Sequence, residues 1–171
     1  PAAEWPGCLC AMDGHVHLQS PNGSRKISAT DFFIDLYTTA LAPDEVVVGA
    51  DVPLAGQAAW FAFDELARRH GDYAVAGLAV AASFTGKVAQ RVNLAFLGIG
   101  TIPWRARRTE ALLVGKTLDL ATVEIAVASL KAELDPLPDL THSPETKRHL
   151  ATVLARRLLT AAHANRSAIA V

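Results

Sequence analysis

Cysteine is scarce: the 171-residue chain has two, Cys8 and Cys10, one residue apart. Such neighbours cannot staple distant segments, so a disulfide scaffold is excluded and a reducing, cytoplasmic setting is expected. An excess of one charge is missing too, because 16 basic and 17 acidic residues leave a net −1. Neither nucleic acid nor an anionic membrane surface is therefore expected as a partner. The longest apolar run, residues 73–84, is too short and too rich in alanine and glycine to span a bilayer. No signal peptide, internal repeat or low-complexity segment is evident. The opening on Pro1 instead of methionine leads us to expect upstream residues that were processed or cut away. Missing as well are a Gly-x-Ser-x-Gly elbow, a phosphate-binding loop with lysine and a His-Glu-x-x-His pair.

What is present is a chain that is 51% apolar, enough for a real core in one domain or two small ones. Its organising stretch is residues 63–74: a short strand, a tight charged corner over residues 69–72, and a longer strand leading into a hairpin. Gly71 is the expected corner residue. Arg68 and Arg69 face Asp72 across the corner and are read as a structural ion pair.

In chain order, Pro6 and Gly7 interrupt the start, so a first helix is placed over residues 7–12. Residues 15–19 alternate as a half-buried strand, Asn22-Gly23 turns the chain, and residues 25–28 return as the partner. Residues 28–31 offer caps for a short helix over 32–36, and residues 42–45 read as a turn. Val46-Val47-Val48 is β-branched and continuous, which predicts a buried strand stopped by Pro53. Residues 54–59, with Gly56 and Gln57, mark a boundary between two lobes. The long strand ends at residues 85–87, residues 88–98 return antiparallel, and residues 98–103 close the sheet.

Helices follow. Residues 107–115 read as one, closed by Gly115. Leu120, Val123, Val127, Leu130 and Leu134 recur at helical spacing over residues 119–134. Ser143-Pro144-Glu145 starts a third, with Leu150, Val153, Leu154, Leu158 and Ala161 as its buried face.

Local chemistry yields little. His15 and His17 share a strand face, a spacing able to hold a metal, but no further ligand is near in sequence and an exposed face is expected. Cys8 and Cys10 are read as buried thiols, with no metal and no catalytic residue assigned. Gly98-x-Gly100 lacks the third glycine of a dinucleotide loop and reads as a turn. Arg105, Arg107 and Arg108 read as a solvated helix start, and Trp60, Phe61 and Trp104 as core. From the residues alone, the chain is a soluble α+β protein.

The order of segments says more. Glu4, then residues 9–16, Asp31-Phe32-Phe33, Leu41-Ala42-Pro43-Asp44-Glu45 with Val46-Val47-Val48 and Pro53, Arg68-Arg69-His70-Gly71-Asp72-Tyr73, and Gly98-Ile99-Gly100-Thr101-Ile102-Pro103 together resemble the flavoprotein subunit of molybdenum hydroxylases. These are enzymes of the carbon monoxide and xanthine dehydrogenase kind. The resemblance implies residues 1–55 as the end of the second FAD-binding lobe. Residues 56–171 would be a C-terminal domain with a three-stranded antiparallel sheet packed with helices. It further implies an oxidoreductase subunit with FAD as cofactor, passing electrons from a molybdenum and iron–sulfur hydroxylase to an external acceptor. The implied partners are a large molybdopterin subunit and a small iron–sulfur subunit.

By the same resemblance Glu4 takes the place of an acid contacting the ribityl or ribose region, and Val47 that of an apolar residue beside the flavin. Asp64 and Glu65 stand where the family often has a lysine near the isoalloxazine, a change expected to disfavour an anionic reduced flavin. The family's two glycine-rich phosphate loops are expected upstream of Pro1, so this stretch alone is expected to be inactive. The alternative is a free-standing, non-enzymatic scaffold or binding domain that lost those loops.

Overall fold

The computed structural model describes residues 2–56, 58–69 and 71–169, with side chains through Ala164. Pro1, Gln57 and His70, all used in the readings above, lie outside the described residues. The first part runs α1 (Glu4–Ala11), β1 (His15–Ser20), β2 (Gly23–Ser28), α2 (Ala29–Phe32), β3 (Phe33–Asp35), β4 (Thr38–Thr39) and β5 (Val46–Asp51). The second runs β6 (Ala59–Ala67), β7 (Ala74–Thr85), β8 (Val88–Leu97), β9 (Trp104–Arg105), α3 (Arg107–Leu113), α4 (Leu120–Glu133) and α5 (Pro144–Ile169). The strands form an antiparallel sheet β2-β1-β5, a small ribbon β3-β4 and an antiparallel sheet β6-β7-β8-β9. The fold is α+β, as expected: three long strands packed with helices, plus a two-residue fourth strand.

The larger sheet has unlike faces. One carries Leu78, Val80, Val92, Leu94 and Phe96, which meet Leu113, Val123, Leu130, Leu154 and Leu159 of the helices in the main core. Each such side chain, fully buried, contributes about 1.5–3 kcal/mol. The other face carries Ala79, Ala81 and Ala95, and these small side chains let α1 lie close, with Cys10 and Ala11 against them. Covered on both faces, β7 is buried almost end to end, which explains why its sequence is a continuous apolar run without strict alternation.

Several expectations hold. The corner forms with Gly71 at φ 78°, and Asp72 lies 3.2 Å from Arg68 and 3.5 Å from Arg69. Ser143 caps α5 by accepting from Thr146 N, and the helix expected over residues 119–134 forms as α4.

Others need correction. α1 begins at Glu4, not after Pro6, because the first-turn N–H groups have no intrahelical acceptor and a proline there loses nothing. Ser28 does cap a helix, but that helix is Ala29–Phe32, and residues 33–35 pair with Thr38-Thr39 as a ribbon. β5 is a strand, yet Val46, Val47 and Val48 are 59%, 49% and 61% exposed, since β5 is an edge that pairs with β1 alone among the described residues. Phe61 is 46% exposed instead of core, whereas Trp60 and Trp104 pack on the core. Leu120 is exposed, and the buried face of α5 is Ala151, Leu154, Ala155, Leu158, Leu159 and Ala162, about one residue round from the expected stripe. The chain does not leave the sheet at residue 103, because β9 pairs with Ala95 and Phe96.

The largest correction concerns Arg105, which is buried. Its Nε and Nη2 donate to Glu110 at 2.5 and 2.9 Å, and Nη1 donates to Asp13 Oδ1 at 2.9 Å and to the Cys10 carbonyl at 2.8 Å. Asn93 Nδ2 completes the cluster, donating to Asp13 Oδ2 and to the Ala11 carbonyl, each at 2.7 Å. Glu110 also accepts from Leu94 N at 2.8 Å. One guanidinium thus joins the end of α1 to β8, β9 and α3. Close packing recurs at Gly98, φ 76°, where an added Cβ would lie 2.7 Å from the Ala74 carbonyl oxygen.

Glu110→Ala leaves Arg105 buried with its bidentate partner gone, and is expected to lower unfolding free energy by about 3–5 kcal/mol. Urea unfolding checks this, and a loss of under about 1 kcal/mol, the range of an exposed ion pair, would contradict it. Burial pushes the Asp13 carboxyl up, but hydrogen bonds from Arg105 and Asn93 and the charges of Arg105 and Arg91 outweigh it and hold the carboxyl below its ordinary 3.8. The stability it contributes is therefore present above that value and lost as pH falls below it. An acid-unfolding series should show Asp13→Asn less sensitive than wild type in that window.

Candidate functional site

α1 lies between two apolar hollows. On one flank, a cavity of about 410 Å³ is lined by Trp5, Leu9, Phe32, Phe33, Val47 and Val52 among others. Strand alternation builds its floor: Val16 and Leu18 of β1 point inward to Phe32, while His15 and His17 point to the opposite face of the sheet. On the other flank, a hollow of about 250 Å³ is lined by Cys8, Met12, Phe61, Phe63 and Ala79. Met12 borders both.

The four residues singled out by resemblance are not gathered at one point. Val47 lines the larger cavity. Glu4 opens α1, exposed, beside Trp5. Glu65 follows Phe61 and Phe63 on the α1 side of β6. Its Oε2 is buried without a hydrogen bond, and burial together with the charges of Glu4 and Asp64 pushes its carboxyl up. Asp64, one residue earlier, sits on the other face of β6 and meets Arg157 of α5 at 2.5 Å. Glu4 thus acts on Glu65 across the start of α1, Val47 occupies the far flank, and Asp64 is turned to Arg157 on the other face.

His15 and His17 are not a free exposed pair. Asp51, across the β1–β5 ladder, lies 2.7 Å from His17 Nε2 and 3.5 Å from His15 Nδ1, and also accepts from Lys26 at 2.8 Å. The hydrogen bond from Lys26, then that from His17, hold the Asp51 carboxyl below its usual range. Among the described residues, no group of three or more His, Cys, Asp or Glu side chains is arranged to hold a metal. Cys8 is half-buried, and its thiol is pushed up by burial and by Glu4. Burial drives the Cys10 thiol to about 11. Neither sulfur is a nucleophile at neutral pH.

The larger cavity is therefore largely apolar, with Asp51 as its one charged lining residue. No basic side chain lines it to meet an anionic phosphate. Sequence reasoning missed Trp5 because the helix was started too late, and it missed Phe33 because that residue was placed in a helix. The adjacent Phe32-Phe33 pair was the available signal. Among the described residues, no helix is long and apolar enough to cross a membrane.

Comparison with known proteins agrees with this geometry. Residues 61–162 match the CO dehydrogenase flavoprotein C-terminal domain, and residues 1–55 match the FAD binding domain in molybdopterin dehydrogenase. The chain is 33% identical over 160 residues to the 6-hydroxypseudooxynicotine dehydrogenase complex subunit alpha of Paenarthrobacter nicotinovorans, covering 92% of this chain and 54% of that protein. It is 30% identical over 164 residues to the carbon monoxide dehydrogenase medium chain of Hydrogenophaga pseudoflava, covering 96% and 57%. The solved structure of the Hydrogenophaga pseudoflava carbon monoxide dehydrogenase superposes with a TM-score of 0.90 at 32% identity, over 96% of this chain and 57% of that one. The chain thus spans a little over half the length of the curated relatives it matches. With one domain model matched across more than half of its residues, the chain belongs to the CO dehydrogenase flavoprotein C-terminal domain family.

Proposed function

We propose that this chain is part of the FAD-containing medium subunit of a molybdenum hydroxylase, an oxidoreductase subunit. Residues 1–55 close its second FAD-binding lobe and residues 56–171 form its C-terminal domain. The observation that supports the reading is the largely apolar cavity beside α1, whose lining includes Trp5 and Val47. In this reading the wall of Trp5, Leu9 and Val47 excludes water from one side of the flavin ring, and Glu4 hydrogen-bonds the hydroxyls of the chain attached to it. Glu65 adds negative charge from the other flank of α1, while Asp64, paired with Arg157, adds little. The pyrophosphate is held elsewhere in the full-length subunit, since no basic side chain lines this cavity.

When bound, FAD supplies electron acceptance and release, and the protein's part is to hold and bias it. The subunit receives electrons from a large molybdopterin subunit through a small iron–sulfur subunit and passes them to an external acceptor. The names of the relatives, a subunit of a dehydrogenase complex and a medium chain, support such partners.

An absorption spectrum of the full-length subunit, followed by FAD titration of the stripped protein, tests the reading. Retained flavin is expected. Val47→Asp sets a charge against the apolar ring and is expected to weaken FAD binding by at least about tenfold, while far-ultraviolet circular dichroism stays unchanged. A colourless subunit that leaves FAD fluorescence unquenched would overturn the proposal and favour a scaffold.

A further inference from the structure

The chain has three sulfur atoms, and all lie on α1 or its cap, in Cys8, Cys10 and Met12. Their surroundings divide them. Cys10 is 1% exposed, and burial drives its thiol to about 11. Cys8 is half-buried, and burial together with Glu4 pushes its thiol up as well. A thiol meets a two-electron oxidant through its thiolate, so both are poor targets at neutral pH. Met12 is a thioether and has no proton to lose. It closes α1 as the C-cap residue, its N–H donating to the Cys8 carbonyl at 3.0 Å. At 3.6 residues per turn, a side chain at position 12 stands over the space between positions 8 and 9. Leu9 lines the larger cavity and Cys8 the smaller hollow, which is why Met12 borders both. Met12 is only partly buried, and the smaller hollow of about 250 Å³ leaves a way to its sulfur when the larger cavity is filled. Among the side chains lining the two hollows, only the Trp5 indole and the Cys8 thiol can donate a hydrogen bond.

We propose that Met12 is a reversible oxidation site for hydrogen peroxide, and that its sulfoxide loosens the hold of the larger cavity on an apolar ring. A lone pair on the Met12 sulfur attacks one peroxide oxygen, the O–O bond breaks and a sulfur–oxygen bond forms. Sulfur is oxidised by two electrons. The second oxygen leaves as hydroxide and takes up the proton of the first, so the products are methionine sulfoxide and water. The new oxygen is a strong acceptor in a wall between two apolar hollows with few donors, so a polar group stands where apolar contact is needed. Hydrogen peroxide is the oxidant expected wherever electrons leak from an oxidoreductase to dioxygen. The site itself rests on the sulfur chemistry of α1. Its effect on binding rests on the proposal that the larger cavity holds the flavin ring.

The test treats the full-length subunit with hydrogen peroxide near neutral pH and locates the added oxygen by tandem mass spectrometry. Met12 is expected to gain one oxygen while Cys8 and Cys10 stay unmodified. FAD titration of the oxidised subunit should then show affinity lowered by at least about tenfold, and regained after treatment with methionine sulfoxide reductase. The Met12→Leu subunit, whatever its own starting affinity, should show no further loss on the same treatment. Oxidation of Cys8 in place of Met12 would overturn the site. Met12 sulfoxide with unchanged affinity, or an equal loss in the Met12→Leu subunit, would overturn its effect on binding. Mapping the oxygen needs no flavin, so a colourless subunit oxidised at Met12 alone would remove the functional proposal and keep the site. A yellow subunit whose Met12 resists peroxide would do the reverse.

Discussion

A single buried cation, Arg105, holds the two family-matched segments in one register. Its side chain is 4% exposed and its donors go to Glu110 on α3, to Asp13 after α1 and to the Cys10 carbonyl at the end of α1. A guanidinium is suited to this because its planar fork serves two carboxylates and a carbonyl at once without deprotonating. The helix end gains as well, since two of its last carbonyls, Cys10 and Ala11, accept from Arg105 and Asn93. Asp13 holds a left-handed backbone, φ 52°, a strained state for a residue with a Cβ. Three hydrogen bonds donated to its carboxylate, from Arg91, Asn93 and Arg105, hold that position and offset the strain.

Placing α1 this way decides where the cavities fall. The helix can lie close to β7 and β8 because Ala79, Ala81 and Ala95 face it and Gly7 of α1 makes room for Leu97. A helix is narrower than the sheet beneath it, so hollows remain along both flanks. Their walls are apolar because the positions reached from β1, β5, β6 and α2 are Val16, Val47, Phe61, Phe63 and Phe32. The proposed binding surface follows from a helix docked by one ion cluster on a face of small residues.

How much of this was legible depended on the range of the interaction. Elements set by neighbours in sequence were readable: the β1–β2 hairpin, the Gly71 corner, the Ser143 cap and the apolar strand β7 all follow from residues a few positions apart. The order of segments was enough to indicate the family. What stayed hidden was long-range. Arg105 looks like a solvated charge until Asp13, 92 residues away, is brought to it. His15 and His17 look unpartnered until Asp51 arrives across the ladder. Val46 to Val48 carry the composition of a buried strand, and sequence alone cannot show that the described residues cover only one of its edges.

Asp64 and Glu65 mark the same limit at finer scale, with a chemical consequence. Treated as a pair, they suggest two negative charges near one ring. A strand sends successive side chains to opposite faces, so Asp64 meets Arg157 under the sheet while Glu65 faces α1 and Glu4. The two carboxylates are therefore split between the faces of β6, and ionisation of Glu65 is resisted. Burial and the nearby carboxylates push Glu65 up, so it keeps its proton to a higher pH than a free glutamate and becomes neutral sooner on acidification. The larger cavity, on the far flank of α1, has Asp51 as its one carboxylate, and Glu65 lines neither hollow.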